Sequence, residues 1–281
     1  MVEAKSSEPG ELEAITRRLR RDIVRSTTAA GSGHPSSSLS MVEILTVLYF
    51  GGILRFDPQN PRDPDRDRFI LSKGHGAPGL YAALAEAGFF PTEDLMTLRK
   101  LGSPLEGHPN MNRLAGVEAS TGSLGQGLSV GIGHALAARI DERDFRVYVM
   151  VGDGETEEGQ VWEAIMFAGN HGLANLTLIF DRNGYQQTDA VDNIEPLDPL
   201  AEKLRAFKWL AREIDGHSLE EVSGALTWAS KDVHAAPQAI IARTVKGKGV
   251  SLLEAKPGGW HGKPIPPEEE AKALEEIGAP S

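Results

Sequence analysis

The chain has 281 residues, enough to bury a sizeable core as one large domain or two small ones, with an ordinary globular balance of 40% hydrophobic and 25% charged residues. Forty acidic against 29 basic residues give a net charge of −11, which argues against nucleic acid or an anionic membrane as partner. Without cysteine there is no disulfide, thiol nucleophile or cysteine-ligated metal; with no membrane-length apolar run and no signal-peptide core, cytoplasm is the expected compartment.

Residues 1–10 are polar and read as a flexible N-terminus. Leu12, Ile15, Leu19, Ile23 and Val24 then recur at helical spacing, which predicts a helix from Glu11 to about Ala30. GSGHPSSSLS, residues 31–40, reads as a loop in which Ser40 caps a helix over Met41–Tyr49. Pro58, Pro61 and Pro64 lie among charges in a surface loop before a strand at Phe69–Ser72. A helix is predicted over Gly79–Ala87, and Pro91 or Thr92 opens the next. Leu124–Ile140 is rich in Gly, Ala and Leu and predicts a closely packed, buried helix. Strands at Tyr148–Val151, Thr177–Phe180, Trp209–Ile214 and Ala239–Ala242 are interleaved with helices over Trp162–Asn170, Leu200–Phe207 and Ser218–Ser230. The alternation predicts an α/β fold, a mostly parallel sheet with helices on both faces. One domain over residues 11–263 is expected, followed by a peripheral acidic tail at 264–281.

The segment VGDGETEEGQVWEA, Val151–Ala164, carries the strongest chemical signal. A strand delivers Asp153 between Gly152 and Gly154, and thirty residues later a second strand delivers Asn183 in FDRNG. If the strands are parallel neighbours, both side chains sit at the carboxyl edge of the sheet, where open α/β folds bind ligands. A carboxylate and an amide oxygen suit Mg²⁺, which keeps coordination places for phosphate oxygens. The two glycines let the backbone close on a diphosphate at a helix start. The acidic spacing does not fit a calcium-binding EF-hand loop, and neither G-x-G-x-x-G after a strand nor a P-loop lysine pattern occurs.

Eight histidines are present, and four lie in glycine- or proline-marked turns: His34, His75, His108 and His261. Such turns aim imidazoles into a cleft, where they donate to phosphate or hydroxyl oxygens and exchange protons near neutral pH. His134, His171, His217 and His234 read as ordinary helix or surface residues.

With these segments in view, the chain closely resembles the amino-terminal half of transketolase. The matching pieces stand in family order from about residue 12 to 265: SGHPSSSLSMVEIL, RFILSKGHGAPGLYAAL, EGHPN, GVEASTGSLGQGLSVGIGHALA, VGDGETEEGQVWEA, DRNG, TVKGKGV and WHGK. The resemblance implies a thiamine diphosphate-binding fold in which Asp153, Asn183 and the backbone carbonyl of Tyr185 hold Mg²⁺, with Ca²⁺ or Mn²⁺ as substitutes. Gly152, Gly154 and Glu155 belong to the implied diphosphate turn, with His75 and His261 as donors near it. Gly122, Ser123 and Leu124 would line the cofactor's rings. His34 and His108 would meet ketose hydroxyls and assist proton transfer, and Glu158 would join a carboxylate relay across a subunit contact. Two departures stand out: Ser123 where proline is frequent, and Tyr185-Gln186 where a more apolar run is expected.

The family reaction is reversible transfer of a two-carbon ketol unit from a ketose phosphate to an aldose phosphate. There, a second domain supplies the glutamate that engages the aminopyrimidine and most cations for the sugar phosphate. No segment here resembles that domain, so the expectation is one subunit of a split transketolase, partnered by a C-terminal subunit in an α₂β₂ assembly. A deoxyxylulose-phosphate synthase or a 2-oxo acid decarboxylating component shares the metal motif, but GHPSSSLS, SKGHG and EGHP favour transketolase. A ketol transferase with a non-standard acceptor also fits. From another class, a non-catalytic cofactor-binding scaffold is disfavoured by retention of Asp153, Asn183 and the four histidines.

Overall fold

The computed structural model describes residues 6–231 and 235–279. Five strands form one parallel sheet: β1 (Arg68–Leu71), β2 (Val147–Gly152), β3 (Leu176–Arg182), β4 (Leu210–Asp215) and β5 (Gln238–Arg243). Their spatial order is β1-β2-β3-β5-β4. The expected α/β architecture is therefore present, with all five predicted strands. β1 to β3 and most of β5 are buried, because helices cover both faces and each strand centres on a run of apolar residues. β4 is the exception: as an edge strand it exposes Leu210, Arg212, Glu213 and Asp215, and its charges discourage pairing with another chain.

The helices are α1 (Pro9–Ala30), α2 (Pro35–Leu39), α3 (Val42–Phe50), α4 (Ala77–Glu86), α5 (Gln126–Ile140), α6 (Asp153–Thr156), α7 (Gly159–Asn170), α8 (Val191–Ile194), α9 (Leu200–Ala206), α10 (Leu219–Ala229), α11 (Ser251–Glu254) and α12 (Pro267–Ile277). Tyr148, Met150, Ile179 and Ile240 face a core shared with α1, α3, α4 and α10. Their strand neighbours Val147, Val149, Leu178 and Ile241 point the other way, to a core with α5, α7 and α9. Ser218 caps α10, its hydroxyl accepting from Glu221 N at 3.2 Å.

Three expectations need correction. Residues 35–39 are helical, with Pro35 at the first turn, although their serines suggested a loop. Ser40 caps nothing, because its hydroxyl points inward and donates to Asp181 Oδ2 at 2.6 Å. The helix of the Gly/Ala-rich stretch begins only at Gln126, after Gly125 in the left-handed region (φ 81°), and it is buried on one face alone. Its other face exposes Val130 and Ile140, and the neighbouring helix α7 exposes Met166 and Phe167.

Of the terminal segments, residues 1–5 and 280–281 lie outside the described residues, as does His234. Ser6 bridges Gly51. In the acidic segment after residue 264, α12 lies along α1 with Ala273 and Ile277 buried, and Arg21 donates to the carbonyls of Leu274 and Gly278 at 2.8 Å. Among the described residues no helix is long and apolar enough to cross a membrane.

Candidate functional site

The register places Gly152 beside Asp181 and Asp181 beside Ala242, so the carboxyl ends of β2, β3 and β5 lie together. The loops leaving them, with the turns around His34 and His75, enclose a cleft of about 450 Å³. Its floor is charged and buried. Lys73, just beyond β1 and 1% exposed, donates to Ser37 O at 2.9 Å and forms an ion pair with Asp181. Burial alone would push the Asp181 carboxyl up, but Lys73 and the hydroxyls of Ser40 and Thr244 hold it below the usual carboxylate range. Lys246, also 1% exposed, donates to His261 Nδ1 at 2.9 Å. Burial and the neighbouring Lys73 lower its pKa to about 8.

Three of the four singled-out imidazoles meet on one wall. The ring centroids of His34, His75 and His261 lie 5.1, 5.2 and 5.4 Å apart. Burial first, then neighbouring imidazoles and lysines, lowers His34 to about 3 and His261 to about 4, and His75 moves the same way. At neutral pH these rings are uncharged, each with one N–H to give and one nitrogen to accept. His34 Nδ1 is buried without a partner. The fourth, His108, is more exposed and stands beside the cleft behind Gly122. A Cβ on Gly122, whose φ is 146°, would lie 2.8 Å from His108 Cδ2, so only glycine lets the ring and this loop approach.

Opposite the imidazoles, β2 ends in the Gly-Asp-Gly turn that opens α6. Glu155 stiffens the turn from beneath: its carboxylate accepts from Gly152 N at 3.2 Å, from Gly125 N at 2.9 Å and from the Ser72 hydroxyl. It thereby ties the turn to the TGSLGQG loop, in which Leu124 lines the cleft while Ser123 is exposed outside the lining. Gly154 lies against Gln186, whose Cβ would be 2.8 Å from an added Cβ. Glu158 is exposed at the N-cap of α7, at the rim of the cleft, and its side chain makes no capping hydrogen bond.

Asp153 is 3% exposed and grips β3's end on both sides of Asn183. Its Oδ1 accepts from Arg182 Nη1 at 2.9 Å and its Oδ2 from Gly184 N at 2.7 Å. Burial raises its pKa to about 6 against the opposing pull of Arg182. Asn183 Oδ1 accepts from Tyr185 N at 3.1 Å, and both residues line the cleft. Among the described residues no group of three His, Cys, Asp or Glu side chains is assembled for a metal. An ion at Asp153 would draw instead on amide and carbonyl oxygens and on the oxygens of a bound anion, the pattern of Mg²⁺ held with phosphates. Two buried lysines and an unpartnered His34 nitrogen make the same space receptive to that anion. The residues present therefore fit a diphosphate with a divalent cation.

Sequence reasoning missed Lys73, Asp181, Arg182, Lys246 and the inward serines of α2. Both lysines lay inside quoted motifs, SKGHG and TVKGKGV, but nothing in composition or period marks a lysine as buried. Of the plain histidines, His171 stacks on Phe167, and His217 joins Glu43 to Val245 N.

Comparison with known proteins gives a consistent picture. Residues 11–280 match the family model for the transketolase, thiamine diphosphate binding domain. Over 267 residues the chain is 46% identical to transketolase of Rattus norvegicus, covering 95% of this chain but 42% of that protein. It thus spans less than half the length of such transketolases. A relative of similar size is the 6-deoxy-6-sulfo-D-fructose transketolase subunit of a Clostridium species, 47% identical over 226 residues, 80% of this chain and 82% of that one. The crystal structure of transketolase from Campylobacter jejuni superposes with a TM-score of 0.90 at 34% identity, over 98% of this chain and 44% of that chain.

Proposed function

The chain belongs to the transketolase family, as its thiamine diphosphate-binding domain, and from that premise we propose that it is the diphosphate-binding subunit of a split transketolase. The observation that carries this reading is the cleft itself, where buried Lys73 and Lys246 and three neutral imidazoles face the Gly-Asp-Gly turn. Asp153, the Asn183 amide oxygen and the Tyr185 carbonyl would hold Mg²⁺, and Gly154 and the lysines would receive the diphosphate. When bound, the cofactor supplies the nucleophilic carbon for ketol transfer. His75 and His261, neutral at physiological pH, orient oxygens by hydrogen bonds. His34, on the imidazole wall, is placed to hold a ketose hydroxyl by hydrogen bonds, and His108, exposed beside the cleft, to hold another and move protons between it and solvent.

Dependence on a second polypeptide is supported by the similarly sized relative that is itself named a subunit. The apolar residues exposed on α5 and α7, Val130, Ile140, Met166 and Phe167, offer a surface for an α₂β₂ assembly. Sugar phosphates remain the proposed substrates, with the partner supplying cations that this acidic chain lacks in number.

The test is an assay of ketol transfer with thiamine diphosphate and Mg²⁺, with this chain and the product of an adjacent gene assayed separately and mixed. Activity in the mixture alone is expected. Full activity of either chain by itself contradicts the split, and pyruvate consumption would favour a decarboxylating enzyme. In the active mixture, His108→Ala is expected to slow turnover on the order of 10²-fold while cofactor affinity changes less than about threefold. Equal losses in turnover and in calorimetric cofactor affinity would remove His108 from substrate chemistry.

A further inference from the structure

Arg182 is a buried charge beside the cleft's Asn183 that the cofactor scheme leaves unused. It is the last residue of β3, immediately before Asn183, and its side chain is 5% exposed. Its guanidinium reaches three carboxylates: Nη1 lies 2.9 Å from Asp153 Oδ1, and Nη2 lies 3.5 Å from both Asp192 Oδ1 and Asp198 Oδ2. Its Nε is buried without a partner. Asp153 is the only one of the three that is itself buried; the side chains of Asp192 and Asp198 are 76% and 49% exposed.

This geometry has a consequence for any cation at Asp153. Both carboxylate oxygens are already engaged by the chain, one by Arg182 and one by Gly184 N. A guanidinium cannot shed its proton to make room, so a dication arriving there meets a fixed like charge in a poorly solvated place. Relief is within reach, because Nη2 already lies near two solvated carboxylates in the segment around α8. A small swing of the planar fork moves it from Asp153 to that pair.

We propose that Arg182 and the divalent cation compete for Asp153, with Asp192 and Asp198 as the seat to which the displaced guanidinium moves. Arg182 thereby sets metal affinity below what the bare oxygen ligands would give and couples it to the position of residues 191–198. The proposal rests on the metal reading above. A merely structural Arg182, serving only to neutralise a buried carboxylate, would instead aid cation binding by keeping the ligand in place.

The two roles separate in a Mn²⁺ titration of the full chain, assembled with its partner and saturated with thiamine diphosphate. Free Mn²⁺ is read by electron paramagnetic resonance at pH 8.5, with wild type and variants compared at the same pH. Arg182→Gln is expected to bind Mn²⁺ at least fivefold more tightly than wild type. The Asp192→Asn/Asp198→Asn double variant, altered only at exposed side chains, is expected to bind at least threefold more weakly. Unchanged or weaker binding by Arg182→Gln overturns the competition. Should that variant fail to fold, wild-type affinity in the double variant overturns it equally. A wild-type complex that binds no Mn²⁺ overturns both this inference and the metal reading, a failure distinguishable from the first two.

Discussion

Asp153→Asn is expected to weaken thiamine diphosphate binding in Mg²⁺ by at least roughly 100-fold, about 2.8 kcal/mol, while leaving the fold intact. The amide keeps the shape of the side chain and one oxygen but loses the charge that a hard dication requires. Arg182 remains near Asp192 and Asp198 in this variant and in Asp153→Ala, so neither leaves the buried cation without a carboxylate partner. Asp153→Ala is expected to lose as much affinity, with a small additional drop in melting temperature. Calorimetric titration with and without Mg²⁺, alongside a thermal melt, checks both. Wild-type affinity in either variant would remove Asp153 from the metal site.

The second large effect concerns stability. Asp181→Asn leaves Lys73 buried, 1% exposed, without its counter-charge, and breaking a buried pair on one side costs about 3–5 kcal/mol. Denaturant unfolding should register that loss at neutral pH, with most of the cost falling on the cleft floor. The pH dependence has a definite sign. Because the folded Asp181 carboxyl lies below its unfolded value, its contribution is present above the unfolded pKa of about 3.9 and disappears as pH falls through the folded one. The gap between wild type and variant should therefore narrow only in acid, below about pH 4. A gap that is small at pH 7, or constant into acid, would mean that Lys73 is satisfied without Asp181.

Both predictions involve residues of unequal visibility in the sequence. The strands were legible because two-sided burial centres each on an apolar run, and the spacing of Gly-Asp-Gly and Asn183 pointed to the carboxyl edge of the sheet. Parallel pairing of β2 and β3 then brought Asp153 and Asn183 to the same cleft. The charged floor was not legible, because Lys73 and Asp181 are 108 positions apart and only the fold pairs them. Residues 35–40 misled for a related reason. Serine favours loops when its hydroxyl competes with its own backbone, but here Ser36 donates to Trp260 O at 3.0 Å and Ser40 to Asp181, so tertiary partners restore the helix. The outward face of α5 likewise reads as buried because small and apolar residues surround it on all sides; one chain alone covers only half.

The imidazole wall shows how packing sets chemistry. Four histidines in turns imply proton carriers near neutrality, but burial beside Lys73 and Lys246 lowers three of them far beneath it. They act as neutral donors and acceptors at physiological pH, and the positive charge of the cleft comes from Lys246 and from Lys73, the latter offset by Asp181. An anion entering it relieves the repulsion between Lys73 and Lys246, which is the electrostatic reason a diphosphate suits this space.

The most direct measurement is a crystal structure of the assembled complex soaked with thiamine diphosphate and Mn²⁺, with the ion located by its anomalous scattering. One peak is expected within roughly 2–2.6 Å of an Asp153 carboxylate oxygen, the Asn183 amide oxygen and the Tyr185 carbonyl, beside the bound diphosphate. A bound cofactor whose metal lies elsewhere, or whose diphosphate avoids the Gly152–Gly154 turn, would contradict it.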